Sequence, residues 1–362
     1  MMPPETTLGL YIHVPFCVRK CPYCDFYSVP QTEENIQQYT AALCRFLRQT
    51  ETTLPVDTIY FGGGTPSLLP VASLEQILQT IAAQFSLRQP EITLECNPAT
   101  VTKETLAAFR RLGINRLSIG VQSLSDLQLQ RLGRLHNAAE AIAMVEQAAA
   151  VGLKNLSCDV MLALPQQTKT ELQTTLEQLT ALPIQHISAY LLKVEDGTPY
   201  AKSHWVQQLP DEDATADFYL QTVETLRQHG FQQYEISNFA KKGYESRHNC
   251  KYWRCMPYLG FGAAAHSCYA GKRFYVPSDL QAFCQAETQP VVLEDAQPCT
   301  QEEQIVLGLR LLEGIPCTWL NAAQLQKMKR YETGGLVQFS GERVALTAKG
   351  CLVSNAILAE IL

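Results

Sequence analysis

No stretch of this 362-residue sequence approaches the roughly 20 consecutive apolar residues that cross a bilayer. Its first residues, Met1-Met2-Pro3-Pro4-Glu5-Thr6-Thr7, lack a basic segment followed by an apolar run and a small-residue cleavage site, so no secretory signal is expected. The net charge of −6 is spread along the chain. Without a block of like charge there is neither a polyanionic tail nor a basic face for nucleic acid. Internal repeats and low-complexity segments are also missing. These absences predict a cytoplasmic protein with no transmembrane segment and no nucleic-acid partner. What is present is a composition of 46% hydrophobic and 18% charged residues, enough to bury a large core in one large or two smaller domains. Thirteen cysteines without an export signal read as thiols or as ligands of a metal or cluster, because the cytosol keeps thiols reduced. Cys44, Cys96, Cys158, Cys284, Cys299, Cys317 and Cys351 are scattered, and are expected as buried small hydrophobes.

Short β-rich runs alternate with amphipathic stretches. The runs are Leu8–His13, Thr58–Phe61, Ile92–Glu95, Arg116–Ile119, Asn155–Val160 and His186–Tyr190. Between them Asn35–Arg48, Leu74–Gln84, Lys103–Arg111, Ala138–Val151 and Thr170–Ala181 carry apolar residues at i, i+3, i+4 spacing and are long enough for crossover helices. Six β/α units predict an α/β fold with a parallel sheet, curved into a partial (β/α)6 barrel. Ligands of such folds sit at the carboxyl ends of the strands. Those ends carry Cys17, Cys21 and Cys24 after the first strand and Gly62-Gly63-Gly64-Thr65-Pro66 after the second. Glu95-Cys96-Asn97-Pro98, Gln122 and Asp159 follow at the next three, so all five converge on one rim. The pattern changes near residue 210. Ala214–Gly230 reads as a long helix and Tyr234–Ser267 as an irregular stretch rich in aromatics and glycine. From Thr300 two helical runs (Gln301–Leu312, Leu320–Lys329), two strands (Leu336–Ser340, Arg343–Thr347) and a last helix resemble a winged helix, an α+β module. Its six Lys/Arg and six Asp/Glu give no footprint for DNA, so a structural or partner-binding role is expected. The expected domains are 1–210, 211–299 and 300–362.

Cys17-Val18-Arg19-Lys20-Cys21-Pro22-Tyr23-Cys24 places three thiols within eight residues. A loop can fold these around one face of an iron–sulfur cube, leaving the fourth iron to chelate a small molecule through an amine and a carboxylate. Two other readings stay open at this point: a structural zinc site with His13 as fourth ligand, and unrelated thiols.

The spacing C-x3-C-x2-C is the radical S-adenosylmethionine (SAM) signature, and Tyr11-Ile12-His13-Val14-Pro15-Phe16-Cys17 resembles its porphyrin-related branch. Across residues 8 to about 270 the chain is similar to the oxygen-independent coproporphyrinogen III oxidases and to the heme chaperones related to them. The resemblance implies a [4Fe–4S] cluster on Cys17, Cys21 and Cys24, with SAM on the unique iron. It further implies cofactor contacts from Tyr11, from Gly63, Gly64 and Thr65, where glycine allows close backbone approach, and from Glu95, Gln122, Arg134 and Asp159. Taken singly, each is as readily a structural partner. Ala163 departs from the family's usual glycine, a change expected to tighten the turn.

The oxidases carry a further cysteine two residues after the third, where this chain has Phe26, and a longer segment before the first strand. Both departures count against decarboxylation of coproporphyrinogen III, which stands as the alternative activity. His248-Asn249-Cys250-Lys251-Tyr252-Trp253 instead matches the H-N-x-x-Y-W motif of the heme chaperone branch. Imidazole is an axial ligand for heme iron and the two aromatics suit a porphyrin face; a packed aromatic loop is the plainer alternative. His266, in Tyr258-Leu259-Gly260-Phe261-Gly262-Ala263-Ala264-Ala265-His266, is a second ligand candidate, with Ala264 in place of a usual glycine. Cys250, Cys255 and Cys268 raise the thought of a second cluster, which their spacing does not favour. The expected function is binding of heme and its delivery to an acceptor protein, with an electron donor needed only where SAM is cleaved.

Overall fold

The computed structural model describes residues 6–362. Six parallel strands appear where the alternation predicts them: β1 (Leu8–Val14), β2 (Val56–Gly63), β3 (Leu87–Cys96), β4 (Arg116–Gln122), β5 (Asn155–Leu162) and β6 (His186–Leu191). The crossover helices are α1 (Glu33–Gln49), α2 (Val71–Gln84), α3 (Lys103–Arg111), α4 (Ala138–Ala150) and α5 (Lys169–Ala181), and α6 (Glu212–Gln228) follows the sixth strand. Local chemistry fixes where they start. Thr32, Thr102, Asn137 and Thr168 each accept the backbone N–H three residues on, and Asn137 with Glu140 closes a capping box.

Strand alternation sorts the side chains. Ile59 and Phe61, Ile92 and Leu94, Leu117, Ile119 and Val121 point outward into the core beneath the helices. The residues between them, including Tyr60, Glu95, Arg116, Ser118 and Gln122, line the inside of the curved sheet. A parallel sheet buried on both faces commonly has apolar strands throughout. Here the inner face carries polar side chains among aromatic ones, and they line a cavity along the barrel axis.

The stretch expected to be irregular is ordered. It contains α7 (Arg247–Trp253) and β7 (Tyr258–Phe261), and β7 pairs parallel to β1 as a seventh parallel strand, with Tyr11 opposite Gly260. Four residues with a central glycine carry too little periodicity to declare such a strand. Beyond β7 the sheet continues antiparallel through β8 (His266–Tyr269), β9 (Lys272–Tyr275) and β10 (Val292–Asp295). On the far side Asn238–Ala240 and Gln232–Gln233 extend it past β6, making twelve strands among the described residues whose ends do not meet.

Helix α7 closes the floor of the barrel, at the amino ends of the strands. The N–H groups of Arg247 and His248 donate to Glu91, and Lys251 reaches Thr7 and Asp57, the latter at 2.7 Å. Past it, α8 (Gln301–Gly308) opens a segment with its own apolar cluster, including Ile305, Met328, Val344 and Ile357, which packs on Tyr219 of α6. A three-stranded antiparallel sheet there gives the expected α+β pattern, although the last helix is broken at Val353. No helix among the described residues is long and apolar enough to cross a membrane.

Candidate cluster and cofactor site

The loop after β1 brings Cys17, Cys21 and Cys24 half-exposed to the mouth of the barrel, where they line a cavity of about 410 Å³. The Cys17 sulfur is 3.6 Å from the Thr65 hydroxyl, and the Arg134 guanidinium is 3.5 Å from the Cys21 sulfur. Among the described residues no three His, Cys, Asp or Glu side chains stand at the spacing for one metal ion. Both ring nitrogens of His13, the candidate fourth zinc ligand, are engaged. His13 is buried beneath the loop with Nε2 3.1 Å from the Tyr27 carbonyl and Nδ1 3.2 Å from the Tyr11 hydroxyl.

Gly63, Gly64, Thr65, Glu95, Gln122, Arg134 and Asp159 all line the same cavity. Gly63 has φ +110°, and a Cβ there would lie 2.7 Å from the His13 ring, so the turn needs glycine for both its backbone and its space. Glu95 accepts from the Tyr60 hydroxyl at 2.8 Å and from the Gly63 N–H at 3.3 Å. Burial pushes its carboxyl up to about 7, against the Tyr60 bond that pulls it down. Burial likewise pushes Asp159 up to about 6, against the hydroxyls of Ser188 and Ser118 and the charge of Arg116. Two buried carboxyls with raised values in one cavity are placed to meet a cationic group.

Sequence reasoning missed Arg116, fully buried on the inner face of β4. Its Nε and Nη1 have no hydrogen-bond partner, and neither has Asn97 Oδ1, which lines the cavity with it. The alternation Arg116-x-Ser118-x-Gly120-x-Gln122 against Leu117, Ile119 and Val121 is the signal that identifies this face. Carboxylates, guanidinium groups and an amide with polar atoms to spare fit a zwitterionic nucleoside such as SAM.

Tyr11 falls outside this set. Its ring lies near parallel to those of Tyr60 and His248, and it lines a second cavity of about 790 Å³ with Tyr252, Trp253, Tyr258 and His266. The two cavities share Lys20 and Phe26, the latter 67% exposed. His248 lines neither. On the barrel floor its Nδ1 is 2.8 Å from the Thr58 hydroxyl and its Nε2 2.9 Å from the Tyr252 hydroxyl, and burial pushes it down to about 3. Both ring nitrogens are occupied, so the expected axial ligand presents no nitrogen to a porphyrin in this arrangement. Its neighbours divide: Asn249 reaches the first cavity, Tyr252 and Trp253 the second. On the wall of the second cavity His266 has Nδ1 3.5 Å from a Glu294 oxygen, while no hydrogen bond among the described residues engages its Nε2.

The remaining cysteines also differ from expectation. Cys44, Cys96, Cys158 and Cys351 are buried, but Cys284, Cys299 and Cys317 are only half-buried because they sit at element ends. Cys250 faces another cleft, whereas Cys255 and Cys268 are joined on the second cavity by Cys299. Ala163 and Ala264 adopt φ of +58° and +72°, so alanine strains these turns instead of tightening them.

The profile of the Radical SAM superfamily matches residues 11–179. The heme chaperone HemW of Haemophilus influenzae is 41% identical over 292 residues, 78% of this chain and 74% of its own length. That of Bacillus subtilis is 32% identical over 372 residues, 97% and 98% of the two chains. Among solved structures, the Escherichia coli coproporphyrinogen III oxidase HemN superposes with a TM-score of 0.84 at 22% identity, covering 99% of this chain and 90% of its own, a likeness of fold.

Proposed function

The chain belongs to the heme chaperone HemW family within the radical SAM superfamily, and from that premise we propose that it binds heme in the cavity of about 790 Å³ and passes it to an acceptor protein. The superfamily implies a [4Fe–4S] cluster and SAM. In this reading Cys17, Cys21 and Cys24 would hold the cluster, and Glu95, Gln122, Arg134 and Asp159 would hold SAM with the Gly63-Gly64-Thr65 turn. When bound, the cluster supplies an electron-transfer centre with one Lewis-acidic iron. The chain's own residues orient the ligand and keep water from it.

The observation that carries the heme reading is the second cavity itself. Its volume lies within the roughly 300–1,000 Å³ typical of ligand sites. Tyr252, Trp253 and Tyr258 give it aromatic walls, and Lys20 and Arg273 give it cations for porphyrin carboxylates. His266 is the imidazole suited to the iron, because Glu294 beside Nδ1 favours the tautomer whose Nε2 carries the lone pair. His248 is then a positioning residue that holds Tyr252. Phe26, at the oxidases' extra cysteine, stands between the two cavities in keeping with a carrier. Residues 300–362 remain a partner-binding module in this proposal.

The test is an anaerobic heme titration of cluster-reconstituted protein. Wild type should give a saturable one-to-one Soret spectrum, and His266→Ala should shift the band and weaken binding about tenfold or more. His248→Ala should weaken binding while leaving the band position unchanged. Unsaturable binding by wild type would overturn the carrier reading, and an unaltered spectrum in His266→Ala would remove His266 as ligand.

A further inference from the structure

Three thiols meet on the wall of the second cavity and take no part in the sites above. Cys268, in β8, and Cys299, one residue before the cap of α8, bring their sulfurs to 3.7 Å. The Cys299 thiol also reaches the Cys255 carbonyl at 3.9 Å. All three line the cavity.

The Cys299 pose is built by its backbone. Its φ is +63°, a left-handed conformation unusual for cysteine, and its N–H donates to Glu303 at 2.5 Å while its carbonyl accepts from Gln304 at 2.7 Å. Glu303 pairs at 2.6 Å with Arg273, which stands opposite Cys268 in the β8–β9 ladder. One ion pair thus ties the start of α8 to β9, the strand paired with the one that carries Cys268. Isolated core cysteines need no such arrangement.

We propose that Cys268 and Cys299 form a thiol–disulfide exchange site that reacts with small disulfides of the glutathione class, tying the start of α8 to β8. The Cys299 thiol loses its proton and attacks one sulfur of the small disulfide; that S–S bond breaks, a mixed disulfide forms and one small thiol leaves. Cys268 loses its proton and attacks the Cys299 sulfur, closing the protein disulfide and releasing the second small thiol. Two protein thiols give up two electrons and two protons, and the small disulfide takes up both to become two thiols. A disulfide closes this 3.7 Å gap to about 2.05 Å. Cys255, whose carbonyl the Cys299 thiol reaches, is an alternative partner: attack of its thiolate on the Cys299 sulfur would form a Cys255–Cys299 bond and release Cys268 as a thiol. Burial holds Cys268 and Cys299 up at about 11, so exchange is slow at neutral pH and quickens as pH rises.

The site stands whether or not the cavity takes heme, and it is scored by mass alone. Cluster-loaded full-length protein is incubated anaerobically with oxidised glutathione at mildly alkaline pH, alkylated and mapped by peptide mass spectrometry. A Cys268–Cys299 cross-linked peptide, lighter than the two thiol peptides by two hydrogens, is the expected product. It should be retained in Cys255→Ser and lost in Cys299→Ser. Recovery of Cys268 and Cys299 as alkylated thiols, or as separate glutathione adducts without a cross-link, in wild type of native circular dichroism would overturn the proposal.

Discussion

The Tyr60 hydroxyl stands 2.8 Å from Glu95 Oε1 on the inner face of the barrel, and the partner oxygen takes a backbone N–H from the glycine turn. Every bond to this carboxylate comes from a neutral donor, so burial prevails and both Glu95, at about 7, and Asp159, at about 6, are raised. The ligand-free fold therefore holds protons that the unfolded chain has released. Stability should fall as pH rises from near 4 to about 7 and then level off, by on the order of 3 kcal/mol for Glu95. A cationic ligand favours the ionised forms. The dissociation constant of SAM on cluster-loaded protein, read by equilibrium dialysis, should fall about tenfold between pH 5.5 and 7.5. A flat profile would show that these carboxyls do not face the ligand's charge.

Gly63→Ala places a methyl 2.7 Å from the His13 ring at φ +110°. The turn must shift, and with it the backbone N–H that meets Glu95. Loss of SAM binding with full iron content is expected, measured by dialysis beside an iron assay. Equal loss of iron would instead place the damage in the cysteine loop.

Lys251 is 3% exposed and meets Asp57 at 2.7 Å beneath the barrel. Lys251→Ala removes the buried cation from a carboxylate that keeps Arg247 at 3.2 Å, and should cost about 1.5–3 kcal/mol in urea unfolding. The double variant Lys251→Met, Asp57→Leu should recover most of that loss. A double variant no more stable than the single would mean that shape, not charge, sets the requirement.

Ala163→Gly and Ala264→Gly relieve left-handed alanines at φ +58° and +72°. Each should gain about 0.5–1 kcal/mol in the same assay, the strain released less the added freedom of the unfolded chain. Destabilisation by either would show that the methyl's packing outweighs its strain.

The barrel is legible because its first five strands each carry a chemically distinct mark in or just after their carboxyl half, from Cys17 to Asp159. Both signals, period and punctuation, are local. What sequence could not show depends on contacts between distant segments. β7 is a strand because β1 lies beside it, and Cys299 meets Cys268 only through the fold. His248 illustrates the same limit: imidazole beside two aromatics suggested a heme ligand, yet its environment is set by Thr58, 190 residues away in sequence. Arg116 was overlooked for a different reason, since a charged residue opening a strand reads as a solvated end.

Three of the seven residues of α7 bring it to both cavities, Asn249 on one side and Tyr252 and Trp253 on the other. Any coupling that this shared helix carries between ligands in the two cavities is a single free energy. Whatever factor one ligand applies to the other's dissociation constant is returned in equal measure, whichever of the two is loaded first.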